Sequence, residues 1–170
     1  MTGIPIARLS RRGFVLAGLA AGLAACGPET TTMRVSGPVV VPNLTPQQMV
    51  DAINAVRKRN GRSALSYSPT LARVAYAQAR LVVAHDELSH DFGPTGTLRD
   101  RATAAGYHGP IGENLAGGQR SIDQALDGWL ASPGHRFTLL SEMWTSVGMV
   151  VVPGKPGSRY GIFWAADFGT

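Results

Sequence analysis

Residues 129–136 read Trp-Leu-Ala-Ser-Pro-Gly-His-Arg, a short polar segment in a chain that is 44% hydrophobic. Two similar segments precede it, Ser-His at residues 89–90 and Gly-Glu-Asn-Leu-Ala at residues 112–116. Each segment supplies one side chain that can transfer a proton or contribute to a metal site. The candidates for a common site are therefore His90, Glu113 and His135.

The order and spacing of these segments resemble the CAP superfamily, which comprises cysteine-rich secretory proteins, antigen 5 and pathogenesis-related 1 proteins and is also called SCP-like. Asn54 and Arg57 in the first predicted helix, and Gly148 thirteen residues after His135, add to the match. The resemblance covers residues 45–169 and is closest to the bacterial branch. It implies an α+β fold, a three-layer α-β-α sandwich, with a broad cleft lined by a His-Glu-Glu-His tetrad.

The resemblance carries three members of that tetrad onto this chain, namely His90, Glu113 and His135. The position of the second glutamate is occupied by Ser132. The expected ligand-binding cleft is therefore lined by His90, Glu113, Ser132 and His135, with one carboxylate instead of two. Residues 45–170 also contain no cysteine, unlike the many disulfide-bonded animal and plant members.

Two neutral imidazoles that face one cleft can hold Zn²⁺ or another late divalent ion, with water completing the coordination. His90 and His135 are the expected ligands, and Glu113 would orient an imidazole or the bound water. Such a site would bind metal weakly because it has only two protein nitrogens. We therefore expect the domain to require no cofactor. Two alternatives remain open. In the first, the three side chains form a hydrogen-bonded network that joins loops. In the second, they perform acid–base catalysis.

The resemblance implies an exported domain that binds a ligand in this cleft, such as a lipid or an envelope glycan. One alternative is a cell-envelope hydrolase that uses Glu113 with His90 and His135. Another is a structural or adhesion module of the envelope without a small ligand. Family members share their fold more than their activity, so the fold alone does not decide among these classes. The sequence favours binding over catalysis.

Several other kinds of site are excluded by the residues present. His85 and His90 are five residues apart, whereas the helical metalloprotease motif has its histidines four apart. No Gly-x-Ser-x-Gly elbow occurs, and the single cysteine, Cys26, lies outside the domain, which excludes a cysteine nucleophile there. Three of the 16 basic residues lie within the first 12 residues, so the net charge of +5 does not indicate nucleic-acid binding.

The first 26 residues have the organisation of an export signal. Basic residues up to Arg12 precede an apolar run at residues 14–25, which is too short to span a bilayer because a spanning helix needs roughly 20 residues. Ser-Arg-Arg-x-Phe at residues 10–14 resembles a twin-arginine signal, and general secretion is the alternative. Leu-Ala-Ala-Cys at residues 23–26 resembles the bacterial lipobox, in which the cysteine is lipidated and cleavage occurs just before it.

These motifs predict a signal peptide at residues 1–25, a lipidated N-terminus and flexible tether at residues 26–44, and the domain at residues 45–170. Lipid on Cys26 would anchor the exported protein to a membrane of the cell envelope. Gly27, in place of an aspartate, favours the outer membrane in a cell that has one. The valine-rich residues 39–41 would, as an alternative to a tether, add an edge strand to the domain.

Helix caps and hydrophobic spacing predict the elements of the domain. Thr45, Ser68 and Ser121 precede amphipathic helices, and residues 98–105 form a shorter helix. The pattern switches toward strands at residues 146–152 and 160–168, which a turn rich in Pro and Gly separates. Helices first and strands last indicate an α+β domain in which helices cover a small sheet.

Overall fold

The computed structural model describes residues 39–170. The predicted signal peptide, the lipobox and most of the tether lie outside these described residues. In chain order the described elements are α1 Pro46–Arg59, β1 Ser66–Tyr67, α2 Pro69–His85, α3 Leu98–Ala104, β2 Ile111–Gly117, α4 Ile122–Ala131, α5 Pro133–Leu140, β3 Ser146–Pro153 and β4 Ile162–Gly169. Among residues 39–170, no helix combines the length and the apolar character needed to cross a bilayer.

The first four helices begin at capping residues. The hydroxyl of Thr45 accepts a hydrogen bond from the backbone N–H of Gln48, whose side chain in turn accepts one from the backbone N–H of Thr45. The caps of α2, α3 and α4 are Ser68, Thr97 and Ser121. Each cap satisfies an amide group that a helix start leaves unpaired. The predicted starts of these helices are therefore confirmed.

The four strands form one sheet in the order β1-β3-β4-β2. β4 pairs antiparallel with β3 on one side and with β2 on the other, and β1 adds a two-residue parallel pair to β3. All eight residues of β4 are buried, so β4 is the centre of the domain. β2, which carries Glu113, lies at the edge of the sheet.

Helices cover both faces of this sheet. On one face α1, α4 and α5 pack around a cluster that includes Trp129, Trp164 and Phe168. On the other face α2 packs through its alanines and Val82 against Leu115 and Phe163. This arrangement confirms the expected α+β class and the three-layer α-β-α sandwich.

The helix α2 approaches β3 very closely at Gly148. A Cβ atom at this position would lie 2.0 Å from the backbone nitrogen of Ala72 and 2.4 Å from the carbonyl carbon of Leu71. Only glycine leaves room for the helix backbone here. The match of Gly148 to the family pattern thus has a packing reason and is not part of the site.

Three elements were not predicted from the sequence, namely β1, β2 and α5. Because β2 precedes α4, the expected order of helices first and strands last is wrong. Residues 113–116 of β2 are all buried, so the strand lacks the polar and apolar alternation by which a half-exposed strand is recognised. α5 starts at Pro133 followed by Gly134, a pair that indicates a turn, although proline also suits the first position of a helix.

The described residues ahead of α1 pack on the domain without forming regular structure. Residues 39–45 are neither helix nor strand, so the alternative of an edge strand at residues 39–41 is wrong. Val39, Val41 and Leu44 nevertheless pack against the core cluster on the α1 side of the sheet. The chain that leads into the domain is therefore held against it from Val39 onward.

Candidate functional site

His90 lies in the loop between α2 and α3, and hydrogen bonds fix both its ring and its neighbourhood. Its Nδ1 donates to Oε1 of Glu113 at 2.8 Å. Gln78, fully buried in α2, donates to the carbonyl oxygen of Ser89, the preceding residue. The His90 side chain is 54% exposed, whereas that of Glu113 is 1% exposed. A buried carboxylate thus orients an accessible imidazole, and Nε2 of His90 makes no hydrogen bond within the described part of the chain.

Glu113 is held from its other side by Arg101 of α3. Nη2 of Arg101 donates to Oε2 of Glu113 at 2.7 Å, and both side chains are buried. Nη1 of Arg101 donates to the carbonyl oxygens of Gly96 at 2.6 Å and His90 at 3.3 Å. Arg101 therefore joins α3, the His90 loop and β2. Its role was not predictable from the sequence, because an arginine on a short helix gives no sign that it will be buried.

His135 lies in the first turn of α5, beyond the edge of β2. Its carbonyl oxygen accepts a hydrogen bond from Nδ2 of Asn114 at 2.9 Å, which ties α5 to the strand residue next to Glu113. The ring centroids of His90 and His135 are 6.3 Å apart, with 53° between the ring planes. Burial, and then the neighbouring His90, lower the pKa of His135 below the ordinary histidine value. The structure thus brings the two predicted histidines together, with His135 favoured in its neutral form.

Ser132 is half-buried at the junction of α4 and α5, three residues before His135. It occupies the cap position of α5, but its side chain makes no capping hydrogen bond. The other two histidines take no part in the hydrogen bonds of the site. His85 stacks on Phe92 with a centroid distance of 4.7 Å, and His108 is exposed.

A second buried carboxyl group, Asp167 of β4, lies beside Glu113 and was not predicted. The two residues are cross-strand partners in the sheet. Asp167 is fully buried, and neither of its oxygens has a hydrogen-bond partner among the described residues. Burial, and then the charge of Glu113, raise the pKa of Asp167 well above its usual value, although Arg101 acts in the opposite direction. The sequence signal for this group is a single acidic residue within the apolar strand Ile-Phe-Trp-Ala-Ala-Asp-Phe-Gly.

The donor set at this site suits a weakly held metal ion at most. Both carboxylate oxygens of Glu113 are occupied, one by His90 and the other by Arg101. Within residues 39–170, no group of three or more His, Cys, Asp or Glu side chains is arranged to hold a metal ion. The available ligands are therefore the imidazoles of His90 and His135. The contact between Glu113 and His90 fits the common pattern in which a carboxylate orients a metal-ligating histidine.

Residues 50–168 match the model of the CAP family, described as the cysteine-rich secretory protein family. The chain is 26% identical over 141 residues to YkwD, an uncharacterised protein of Bacillus subtilis (strain 168), covering 82% of this chain and 52% of that protein. It is 30% identical over 106 residues to YlbC, an uncharacterised membrane protein of the same organism, covering 62% of this chain and 31% of that protein. The chain thus spans about half or less of these relatives.

Solved structures agree with this match. An extracellular protein containing an SCP domain from Bacillus anthracis str. Ames superimposes with a TM-score of 0.62 at 32% identity, over 79% of this chain and 45% of that one. An outer surface protein from Borrelia burgdorferi gives a TM-score of 0.63 over 73% of this chain and 90% of that one, and at 22% identity it bears on the fold alone. Because residues 50–168, most of this chain, match the family model, the chain belongs to the CAP family of cysteine-rich secretory proteins.

Proposed function

We propose that this chain is an exported, lipid-anchored CAP-domain protein that binds a ligand at His90 and His135, with a weakly held divalent metal ion in the site. The observation that carries this proposal is the geometry of the two imidazoles. Their centroids are 6.3 Å apart, and the more accessible ring is oriented by a buried carboxylate. His135 favours its neutral form, which is the form that binds metal.

Each residue of the site has a distinct part in this function. His90 and His135 supply the two nitrogens, and Glu113 holds the His90 ring so that Nε2 is available. A metal ion bound by two imidazoles would supply Lewis-acid attraction for oxygen groups of the ligand. A lipid headgroup or an envelope glycan carries such oxygens. Because His90 is 54% exposed, a large ligand can reach the pair without passing through a closed cavity.

The hydrolase alternative takes second place because of the surroundings of Glu113. A general acid or base needs to exchange a proton with a group on the substrate. The side chain of Glu113 is only 1% exposed, and its two oxygens are bonded to His90 and Arg101. Its position supports orientation of His90 more than proton transfer to a ligand.

The proposal is tested by analysing what the protein carries when purified from its native envelope without chelators. Native mass spectrometry of the parent is expected to find a divalent metal and a co-purifying lipid or glycan. Both are expected to be lost together in His135→Ala. The matched control is His108→Ala, which changes an exposed histidine that takes no part in the hydrogen bonds around Glu113. Identical contents in the parent and His135→Ala would contradict the proposal and favour a hydrogen-bonded network that only joins loops.

Export is supported by the similarity to an extracellular protein that contains an SCP domain, and anchoring is supported by the lipobox-like residues 23–26. We expect Cys26→Ala to release the protein from the membrane fraction or to leave its signal peptide uncleaved, because the lipid is attached to this cysteine. Membrane fractionation and electrophoretic mobility are the measurements. A variant that fractionates and migrates like the parent would show that Cys26 carries no anchor.

Ser132→Glu is expected to tighten zinc binding, because it restores the carboxylate that the family pattern places three residues before His135. The added carboxylate would be a third ligand beside the two neutral imidazoles. The site would then resemble His₂Glu zinc sites. Competition with a zinc-sensitive dye measures the affinity, and Ser132→Gln is the uncharged control. An unchanged affinity in Ser132→Glu would show that residue 132 does not face the imidazole pair.

A further inference from the structure

The surface formed by the end of α1, by α5 and by the loop that follows α5 combines exposed apolar side chains with arginines and a lysine. Phe137 of α5 is 74% exposed and Met143, in the loop that follows, is 49% exposed. Apolar groups that are exposed together and rimmed by polar ones often mark interaction sites. We call this the basic–apolar face and define it by the residues Lys58, Arg59, Arg62, Arg136, Phe137 and Met143.

Hydrogen bonds from Arg57 and Arg136 join the two halves of this face. Arg57, fully buried at the end of α1, donates through Nη1 to the carbonyl oxygens of Leu139 at 2.7 Å and Ser141 at 3.0 Å. Arg136 donates to Oδ1 of Asn60 at 3.3 Å, which links α5 directly to the end of α1. These bonds join the end of α1 to α5 and to the loop that follows it.

A groove of about 520 Å³ runs across the face. Its lining includes the guanidinium groups of Arg62 and Arg136 and the apolar side chains of Pro133, Phe137 and Leu140. The one carboxylate in the lining, Glu142, is paired with Arg62. Such a groove offers positive charge beside an apolar floor, which suits a lipid headgroup and the first part of its acyl chains.

The positive charge of the face is largely uncompensated. Lys58 and Arg59 are exposed in the last turn of α1, and among the described residues neither they nor Arg136 form a salt bridge. Basic residues at a helix C-terminus interact favourably with the helix dipole. This interaction does not explain why Phe137 is exposed on the same surface. A second copy of the same face would bring like charges together, so self-association is disfavoured.

We infer that the basic–apolar face docks on an anionic phospholipid bilayer. Phe137 and Met143 enter the boundary between headgroups and acyl chains, while the four basic residues contact lipid phosphates. This is the pattern by which interfacial segments bind anionic membranes. The inference rests on the proposed anchoring at Cys26, which places the domain beside such a membrane.

Fluorescence quenching tests this inference on the full lipidated chain. The native tryptophans Trp129, Trp144 and Trp164 are all buried, so brominated acyl chains are expected to leave their emission unchanged. In Phe137→Trp, vesicles containing brominated phosphatidylglycerol are expected to quench the introduced tryptophan, and vesicles of brominated phosphatidylcholine alone are not. The matched control is Tyr76→Trp, at an aromatic residue that is 53% exposed on α2, in the opposite helical layer.

Charge reversal provides the second arm. Lys58→Glu with Arg59→Glu, added to Phe137→Trp, is expected to abolish the quenching. Reversal of two exposed arginines on α2, Arg73→Glu with Arg80→Glu, is expected to leave it intact. Absence of quenching in Phe137→Trp with phosphatidylglycerol vesicles, or equal quenching in Tyr76→Trp, would overturn the inference.

The two proposals fail in different ways. A chain that does not float with phosphatidylcholine vesicles lacks its lipid, and this contradicts the anchor alone. If phosphatidylglycerol vesicles still quench the introduced tryptophan of Phe137→Trp in that unanchored chain, the docking face is supported. A chain that floats with both kinds of vesicle but shows no quenching would overturn the docking face and leave the anchor standing.

Discussion

Glu113→Ala is expected to lower the free energy of unfolding by about 3–5 kcal/mol, the usual effect of removing one partner from a buried ion pair. The variant leaves the Arg101 guanidinium buried without its carboxylate, since Arg101 is only 5% exposed. It also removes the acceptor for Nδ1 of His90. Urea denaturation at neutral pH measures the effect. A loss within about 0.5 kcal/mol, typical of surface changes, would contradict the structural account of the site.

Asp167→Asn, at the cross-strand partner of Glu113, tests whether the second buried carboxyl group is protonated. Because the pKa of Asp167 is raised, the folded protein keeps this proton at pH values where the unfolded chain has released it. The contribution of Asp167 to the stability of the parent therefore falls as pH rises above about 4 toward the folded-state pKa. An asparagine does not titrate, so the stability of Asp167→Asn relative to the parent is expected to rise over the same range. A relative stability that falls with pH would contradict the assignment of a protonated Asp167.

Gly148→Ala is expected to destabilise the domain by about 1–3 kcal/mol or more, the range for overpacked sites. The added Cβ would meet the backbone of Ala72 at 2.0 Å, and a helix backbone cannot move aside as a flexible side chain can. α2 must therefore shift away from the sheet, taking with it Gln78, which holds the His90 loop. Thermal unfolding measures the loss.

Gly128→Ala in α4 is the control for the same chemical change. Gly128 is exposed, and a Cβ atom there meets nothing within 4 Å. Alanine inside a helix is more favourable than glycine by about 0.5–1 kcal/mol, so this variant is expected to be more stable than the parent. Equal effects of the two substitutions would show that the contact at Gly148 is not the cause.

The helices that begin with a side-chain cap were predictable because the signal is local. Thr45, Ser68 and Ser121 each bond to an amide three residues ahead, and this contact depends on little else in the fold. β2 was not predictable in the same way. Its residues 113–116 are buried by contacts from distant parts of the chain, and this removes the alternation that marks a strand.

The candidate site also contains some residues that were predictable from the sequence and others that were not. His90, Glu113 and His135 were found because their segments match a family pattern, and the structure places His90 against Glu113 and beside His135. Arg101 and Asp167 were missed, because burial of a charged residue depends on tertiary contacts. Their role is to hold and surround Glu113, so they affect the site through that residue.

The proposed function requires His90 and His135 to bind a metal ion together, with low affinity. Calorimetric titration with Zn²⁺ tests it on the parent and on His135→Ala, at about pH 7.5 and about pH 5. Ligating imidazoles must be neutral, and an unperturbed histidine has a pKa of about 6.5. Because burial lowers the pKa of His135, this ligand resists protonation further into the acid range than an ordinary histidine.

The predicted result is weak binding by the parent near neutral pH, its loss at the lower pH, and no binding by His135→Ala at either. Equal and tight binding by the parent and His135→Ala would place the metal elsewhere. Absence of heat from the parent, and also from Ser132→Glu, would contradict the metal site and leave the hydrogen bonds around Glu113 as a purely structural network.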